Sequence, residues 1–304
     1  STQAKTLFPY TTLFRSSTET DIVDSHSTDI QLFKNKELFE YLFSLKDKNN
    51  KEFIWEGNPN FWGKHSPILF PIVGSLKNNT FEYNGTSYSL PRHGFARELT
   101  FEVIDKKEDS VIFSLQSNEE TLKKYPFSFE LQLSYTLIGR SLHLGYKVIN
   151  TSDSLLPFSI GGHPAFALPK AFEKYSLQFD ASNSLTYHLL EEGLISNQTK
   201  TIEIPNQQLN LEYQLFENDA LVFKNIPSKS VTILEENQPI LKVDYADFPD
   251  LGVWTPVNAP FICIEPWFGY SDTPNNSGKI IEKEGIQLVE PNSFFQSNYT
   301  ITLL

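Results

Sequence analysis

Phe261-Ile262-Cys263-Ile264-Glu265-Pro266-Trp267 carries four apolar residues straight into a carboxylate and then a proline. An apolar run of this length and β-rich composition suits a strand covered on both faces. Pro266 has no N–H to give to a ladder, so pairing is expected to loosen after Glu265 and leave the carboxylate at a sheet margin, facing a cleft. A buried anion is costly unless it is paired or hydrogen-bonded. Glu265 is therefore either neutralised by a structural partner or kept for chemistry.

Working outward, the punctuation is that of β structure. Residues 81–88 (FEYNGTSY) place Asn84-Gly85 between two aromatic arms, the pattern of a type I′ hairpin with positive φ at both central residues. Phe127, Phe129, Leu131, Leu133, Tyr135 and Leu137 alternate with polar residues, turn at Gly139-Arg140, and return through Leu142, Leu144, Tyr146 and Val148. Further strands are expected at 176–179, 220–223, 231–234, 241–245 and 295–303. Residues 118–124 alone read as a short helix, capped by Asn118 and stopped before Pro126. Nothing alternates strands with amphipathic helices as a parallel sheet would. The fold class is all-β, a large antiparallel β-sandwich with very little helix.

At 304 residues the length alone suggests two domains, yet no Gly-, Pro- or Ser-rich linker divides the chain and no fixed-period repeat occurs. Residues 36–304 read as one sandwich domain, with residues 36–46 open between helix and strand. Residues 17–35 are polar enough to predict a poorly ordered lead-in. Residues 1–16 contain TLFPYTTLFRS, which reads as an in-frame translation of a sequencing adapter and is set aside. The chain has no methionine, so no natural start is visible.

A formal charge of −12 argues against nucleic acid or an anionic membrane surface as partner, and no apolar run of membrane-spanning length occurs. A neutral small molecule fits better. The single cysteine excludes a disulfide framework and a thiolate metal cluster, which agrees with a reducing, cytoplasmic setting.

Of the six histidines, no two have metal-ligand spacing, and Cys263 lies inside an apolar run, so no metal site is expected. Phosphate loops and a serine elbow are absent too. His93, in LPRHGFAR, and His163, in GGHPAF, each sit beside Gly or Pro and should leave a strand end with the ring free. They are either loop histidines bonded to carbonyls or an acid–base set with Glu265. His143 is expected on an exposed strand face, His26 and His188 at the surface, and His65 in a structural or rim role.

Residues 58–63 (NPNFWG), 69–74 (LFPIVG), 90–97 (LPRHGFAR), 162–166 (GHPAF) and 264–267 (IEPW) together resemble the aldose 1-epimerase (mutarotase) family, in its LacX-like branch, in order from about residue 43 to the end. The resemblance implies that family's galactose mutarotase-like supersandwich, no cofactor, and interconversion of the α and β anomers of an aldose. By motif, Glu265 resembles the general base at the C1 hydroxyl, His163 the general acid at the ring oxygen, and His93 the second histidine that polarises that oxygen. Asp219, in NDALVF, resembles a residue that binds a sugar hydroxyl, and Trp267 is expected to touch sugar or exclude water from Glu265. Trp62 is expected at the same rim. Ser75 stands where the family often has arginine, so Arg92, Arg97 or Lys77 would supply a cation, and residues 36–41 lack the family's Gly-Ala-Glu-Leu segment. A neutral sugar is favoured over a sugar phosphate, and a monomer or weak homodimer is expected. A non-catalytic carbohydrate-binding or sensor protein on the same fold is the alternative, with an accessory domain of a larger glycoside-processing enzyme behind it.

Overall fold

The computed structural model describes residues 44–304, together with the strand backbones Thr20–Asp24 and Ile30–Asn35. The adapter-like stretch, His26 and residues 36–43 lie outside the described residues. Within the stretch 17–35, read from sequence as a lead-in, the backbone Thr20–Asp24 pairs antiparallel with Ile30–Asn35, which pairs with the strand Ser44–Asp47.

Two antiparallel sheets build the sandwich. The nine-stranded one runs in space through Gln208–Asn210, Tyr175–Phe179, Ser230–Glu235, Gln238–Asp244, Phe294–Leu303, Ser141–Asn150, Phe129–Ile138, Ser110–Gln116 and Glu102–Lys106. The eight-stranded one runs through Leu194–Glu203, Ser184–Glu191, Leu221–Phe223, Asp250–Trp254, Phe261–Phe268, Ile160–Gly162 and Ile68–Leu69, with Ala165–Ala167 also paired to Phe261–Phe268. Alternation decides which residues fill the space between them. Leu131, Leu133, Leu144 and Ile301 from the first sheet share one buried cluster with Leu251, Ile262, Ile264 and Phe223 from the second.

The hairpin at Asn84-Gly85 forms with φ of 50° and 75°, as a type I′ turn requires. Gly139, at φ 59°, turns Phe129–Ile138 into Ser141–Asn150. Among the described residues the one α-helix is Glu119–Lys124, where Asn118 Oδ1 accepts from the N–H groups of Glu120 and Thr121. No described helix is long and apolar enough to cross a membrane.

The strand Phe261–Phe268 is covered on both faces, as expected, but it corrects the other half of the reading. Pairing continues past Pro266: Trp267 lies opposite Asp250 on one side and Gly161 on the other. Glu265 is therefore inside the sheet, not at its margin. Ile264 N–H donates to Pro164 O at 3.3 Å, so two residues on, the missing N–H of Pro266 faces the same side. The register of both short strands puts Gly162 opposite Pro266, so the proline costs the ladder at most one bond and pairing resumes at Trp267. Between the two short strands lie His163 and Pro164. Consequently Glu265 lies on the outer face of the eight-stranded sheet, within it instead of at its edge.

Candidate active site

Period two puts Phe261, Cys263, Glu265 and Trp267 on the outer face of their strand, while Ile262 and Ile264 point into the shared core. The Trp267 indole lies flat across the neighbouring strands. A Cβ on Gly161 would stand 2.3 Å from its Cδ1, and one on Gly252 2.4 Å from its Cη2. Only glycine leaves room for the ring there. Leu69, Val73, Val222 and Tyr270 pack around it.

Loops from distant parts of the chain bring the histidines over this face. His163 follows Ile160–Gly162, and its N–H donates to Pro67 O at 3.1 Å. The Trp62 ring stacks on the imidazole with centroids 4.7 Å apart and 22° between planes, and Trp254 meets it edge-on at 5.9 Å. Trp62 is itself fixed through its carbonyl, which accepts from Trp55 Nε1 at 2.9 Å. His93 sits at φ 68°, a strained conformation for a residue with a Cβ. The Gly74 backbone holds it there: His93 N–H donates to Gly74 O at 2.8 Å, and Gly74 N–H donates to His93 Nδ1 at 3.1 Å. The two imidazoles are nearly perpendicular, with centroids 6.0 Å apart.

His163 Nε2 lies 3.3 Å from Glu265 Oε2. Glu265 is 2% exposed and His163 7%, and neither Glu265 Oε2 nor His163 Nδ1 makes a hydrogen bond. Burial pushes the Glu265 carboxyl well above the usual carboxylate range; the Arg92 cation opposes this and the Asp219 charge adds to it. Burial likewise pushes His163 down to about 3, with Arg97 and Arg92 acting in the same direction. His93 is driven well below its ordinary value by burial first, then by His163, Arg92 and Arg97. The folded site thus disfavours a carboxylate and an imidazolium alike, which favours a protonated Glu265 beside a neutral His163.

Arg92 bridges the mouth. Its Nη1 is 3.6 Å from Asp219 Oδ2, and its Nε is 3.2 Å from His93 Nε2. A neutral imidazole has one acceptor nitrogen, so the Gly74 and Arg92 contacts cannot both be hydrogen bonds. The backbone donor is immobile and the Arg92 side chain is 46% exposed, which favours the tautomer with the proton on Nε2. Asp219 is at φ 80°, and its own Oδ1 accepts from Ala220 N–H at 2.8 Å.

The structure thus brings together Glu265, His163, His93, Trp267, Arg92 and Asp219. Arg97 stands one layer back, its Nη2 donating to Arg92 O at 2.9 Å and its Nε 3.6 Å from Glu98 Oε1. Lys77 belongs elsewhere: it opens the turn Lys77–Asn79, its backbone N–H donates to Asp272 Oδ2 at 2.9 Å, and its side chain enters none of the site's ion pairs. Ser75, in place of the family arginine, donates its N–H to Ser271 Oγ at 2.9 Å. His143 is half-buried, not exposed, with Nδ1 3.0 Å from Thr300 Oγ1. His188 is also half-buried, and His65 Nδ1 meets Trp55 O at 3.0 Å, a structural contact.

Two features escaped the sequence reading. Trp62 and Trp254 were expected as core or cleft wall, but their direct ring contacts with His163 were not. Cys263 Sγ, set aside as an apolar-run residue, lies with His163 and Glu265 so that one donor atom from each falls within 4.8 Å of the others. Linear spacing could not show this, because His163 is brought across by strand pairing; the alternation 263, 265, 267 was the available signal.

A sequence profile described as aldose 1-epimerase matches residues 41–288. Protein LacX (plasmid) of Lactococcus lactis subsp. lactis is 37% identical over 284 residues, covering 88% of this chain and 95% of that one. The crystal structure of a galactose mutarotase related enzyme from Lactobacillus acidophilus superposes with a TM-score of 0.87 at 31% identity, over 94% of this chain and 97% of that one. A galactose mutarotase-like protein from Lactobacillus casei ATCC 334 gives 0.85 at 29% identity, over 94% and 100%. Profile, sequence relative and architecture agree, and the chain belongs to the aldose 1-epimerase family.

Proposed function

We propose that this protein is a mutarotase that interconverts the α and β anomers of a neutral hexose by acid–base ring opening and reclosure. The observation that carries the reading is the buried Glu265–His163 pair, 3.3 Å apart, whose facing oxygen makes no hydrogen bond within the protein. Buried polar groups in a structural role are hydrogen-bonded, so a buried carboxyl oxygen left without a bond beside an imidazole favours a role in chemistry.

Ring opening requires a proton taken from the C1 hydroxyl and another given to the ring oxygen. With Glu265 facing the hydroxyl and His163 the ring oxygen, the Glu265 proton passes first to His163. Substrate hydroxyls in the cleft supply hydrogen bonds that offset the desolvation of the resulting ion pair. After opening, the proton rests on Glu265 and the imidazole is neutral, which is the state burial favours. Rotation about C1–C2 presents the other carbonyl face. Reclosure then runs the transfers backwards, Glu265 returning a proton to the carbonyl oxygen and His163 taking one from the attacking hydroxyl. Throughout, His93 donates its Nε2 proton to the ring oxygen, which shifts the Arg92 side chain toward Asp219, and Asp219 accepts from a sugar hydroxyl. Arg92 is paired with Asp219, and Arg97 stands behind it, directed to Arg92 O and Glu98, which favours a neutral hexose over a phosphorylated one. Polarimetry of freshly dissolved α-glucose and α-galactose tests the reading. Acceleration over the spontaneous rate supports it, and none with a panel of neutral aldoses, from folded protein, overturns it.

A further inference from the structure

We propose that His163, Cys263 and Glu265 form a site for a thiophilic divalent transition metal such as Zn²⁺, and that the bound metal excludes the sugar and inhibits the enzyme. The inhibition rests on the mutarotase reading above; the metal site does not. One donor atom from each residue lies within 4.8 Å of the other two. The His163 Nε2–Glu265 Oε2 separation is 3.3 Å, and a tetrahedral ion with bonds of about 2.0–2.1 Å needs donors about 3.4 Å apart. Glu265, 2% exposed, turns an oxygen with no hydrogen bond toward this cluster.

The donor set is one thiol sulfur, one imidazole nitrogen and one carboxylate oxygen. Sulfur and nitrogen select zinc, cobalt, nickel or copper over magnesium and calcium. Three protein ligands on one wall leave the fourth position toward the cleft for water, and that is where the sugar's reacting oxygens would sit. Cys263 is wholly buried, and burial holds its thiol protonated without a metal. Binding balances as the aquated metal, the Cys263 S–H and the Glu265 carboxyl proton giving the metal–thiolate–carboxylate–imidazole complex and two protons in solution, so affinity rises with pH. The charged and titratable groups facing the cluster are His93, Arg92, Arg97 and Asp219. The two arginines weaken cation binding and Asp219 strengthens it.

The test uses the full chain and Co²⁺ alone as a spectroscopic probe, followed by Zn²⁺ calorimetry and polarimetry. Expected are a near-ultraviolet thiolate-to-cobalt absorption at one ion per chain, its loss on adding zinc, and zinc inhibition relieved by excess sugar. Cys263→Ala, a small change in a site already packed by Ala165 and Ala259, should keep its melting temperature and basal mutarotation while losing the absorption and binding zinc at least tenfold more weakly. Absence of the absorption, or equal zinc affinity in C263A, overturns the site. If no aldose is turned over, the cobalt spectrum still decides the metal site; if turnover is present without the spectrum, this inference fails by itself.

Discussion

Replacing Glu265 with glutamine separates two consequences of the same burial. The amide has the shape of the carboxyl and makes no demand for ionisation, but it cannot take a proton. Loss of a positioned acid or base removes about 10²–10⁴ in rate, roughly 2.7–5.4 kcal/mol at about 1.36 kcal/mol per tenfold, so mutarotation should fall by at least a hundredfold. Stability should move the other way. Burial raises the folded Glu265 value well above the ordinary one, whereas in the unfolded chain the carboxyl ionises near pH ~4.3. Wild-type stability from this group is complete below that unfolded value and is lost as pH rises toward the folded one. E265Q carries no such loss. The variant should therefore gain on the wild type by up to about 1.4 kcal/mol per pH unit across that window. Urea unfolding of both proteins at intervals from pH 5 to 8, beside polarimetry at each pH, measures both effects. A rate within threefold of wild type, or a stability difference independent of pH, would refute the account of a carboxyl held protonated by burial.

Three further outcomes are expected. The pH profile of kcat/KM should show no acid limb near 6.5, because burial keeps His163 neutral far below that value, and an alkaline limb only where the pair loses its proton, above the ordinary carboxylate range; an acid limb at pH 6–7 would count against it. Trp62→Ala removes the ring stacked on His163 and admits water, so kcat/KM should fall about tenfold, ~1.4 kcal/mol, and the acid limb should move up; an unchanged profile would make Trp62 a bystander. Lys283→Met breaks a pair in which Nζ lies 3.0 Å from Asp272 Oδ1, both side chains 2% exposed, and strands a buried charge. That should cost about 3–5 kcal/mol, read by urea unfolding, and a loss under 1 kcal/mol would show that Asp272 is content with its bonds from Lys77 N–H and Asn276.

The sequence by itself determined the β-class, the hairpins at Asn84-Gly85 and Gly139, the Asn118-capped helix and the inward face of each long strand, because turn chemistry, capping and period-two alternation are local. It singled out His93, His163 and Glu265 because each departs from its local pattern, a histidine beside Gly or Pro and a charge at the end of an apolar run. It misjudged Pro266, since one missing N–H ends a ladder only where the neighbours also end, and here both neighbours pair again at Trp267. It left unread the hairpin Ser184–Glu191 with Leu194–Glu203, whose outer strand is largely exposed and polar. Only the tertiary structure decided that Arg92 meets Asp219 while Lys77 stays apart, that Gly161 and Gly252 make room for one indole, and that Cys263 shares a cluster with Glu265 and His163. Those relations join residues far apart along the chain, and strand pairing, not sequence spacing, sets their distances.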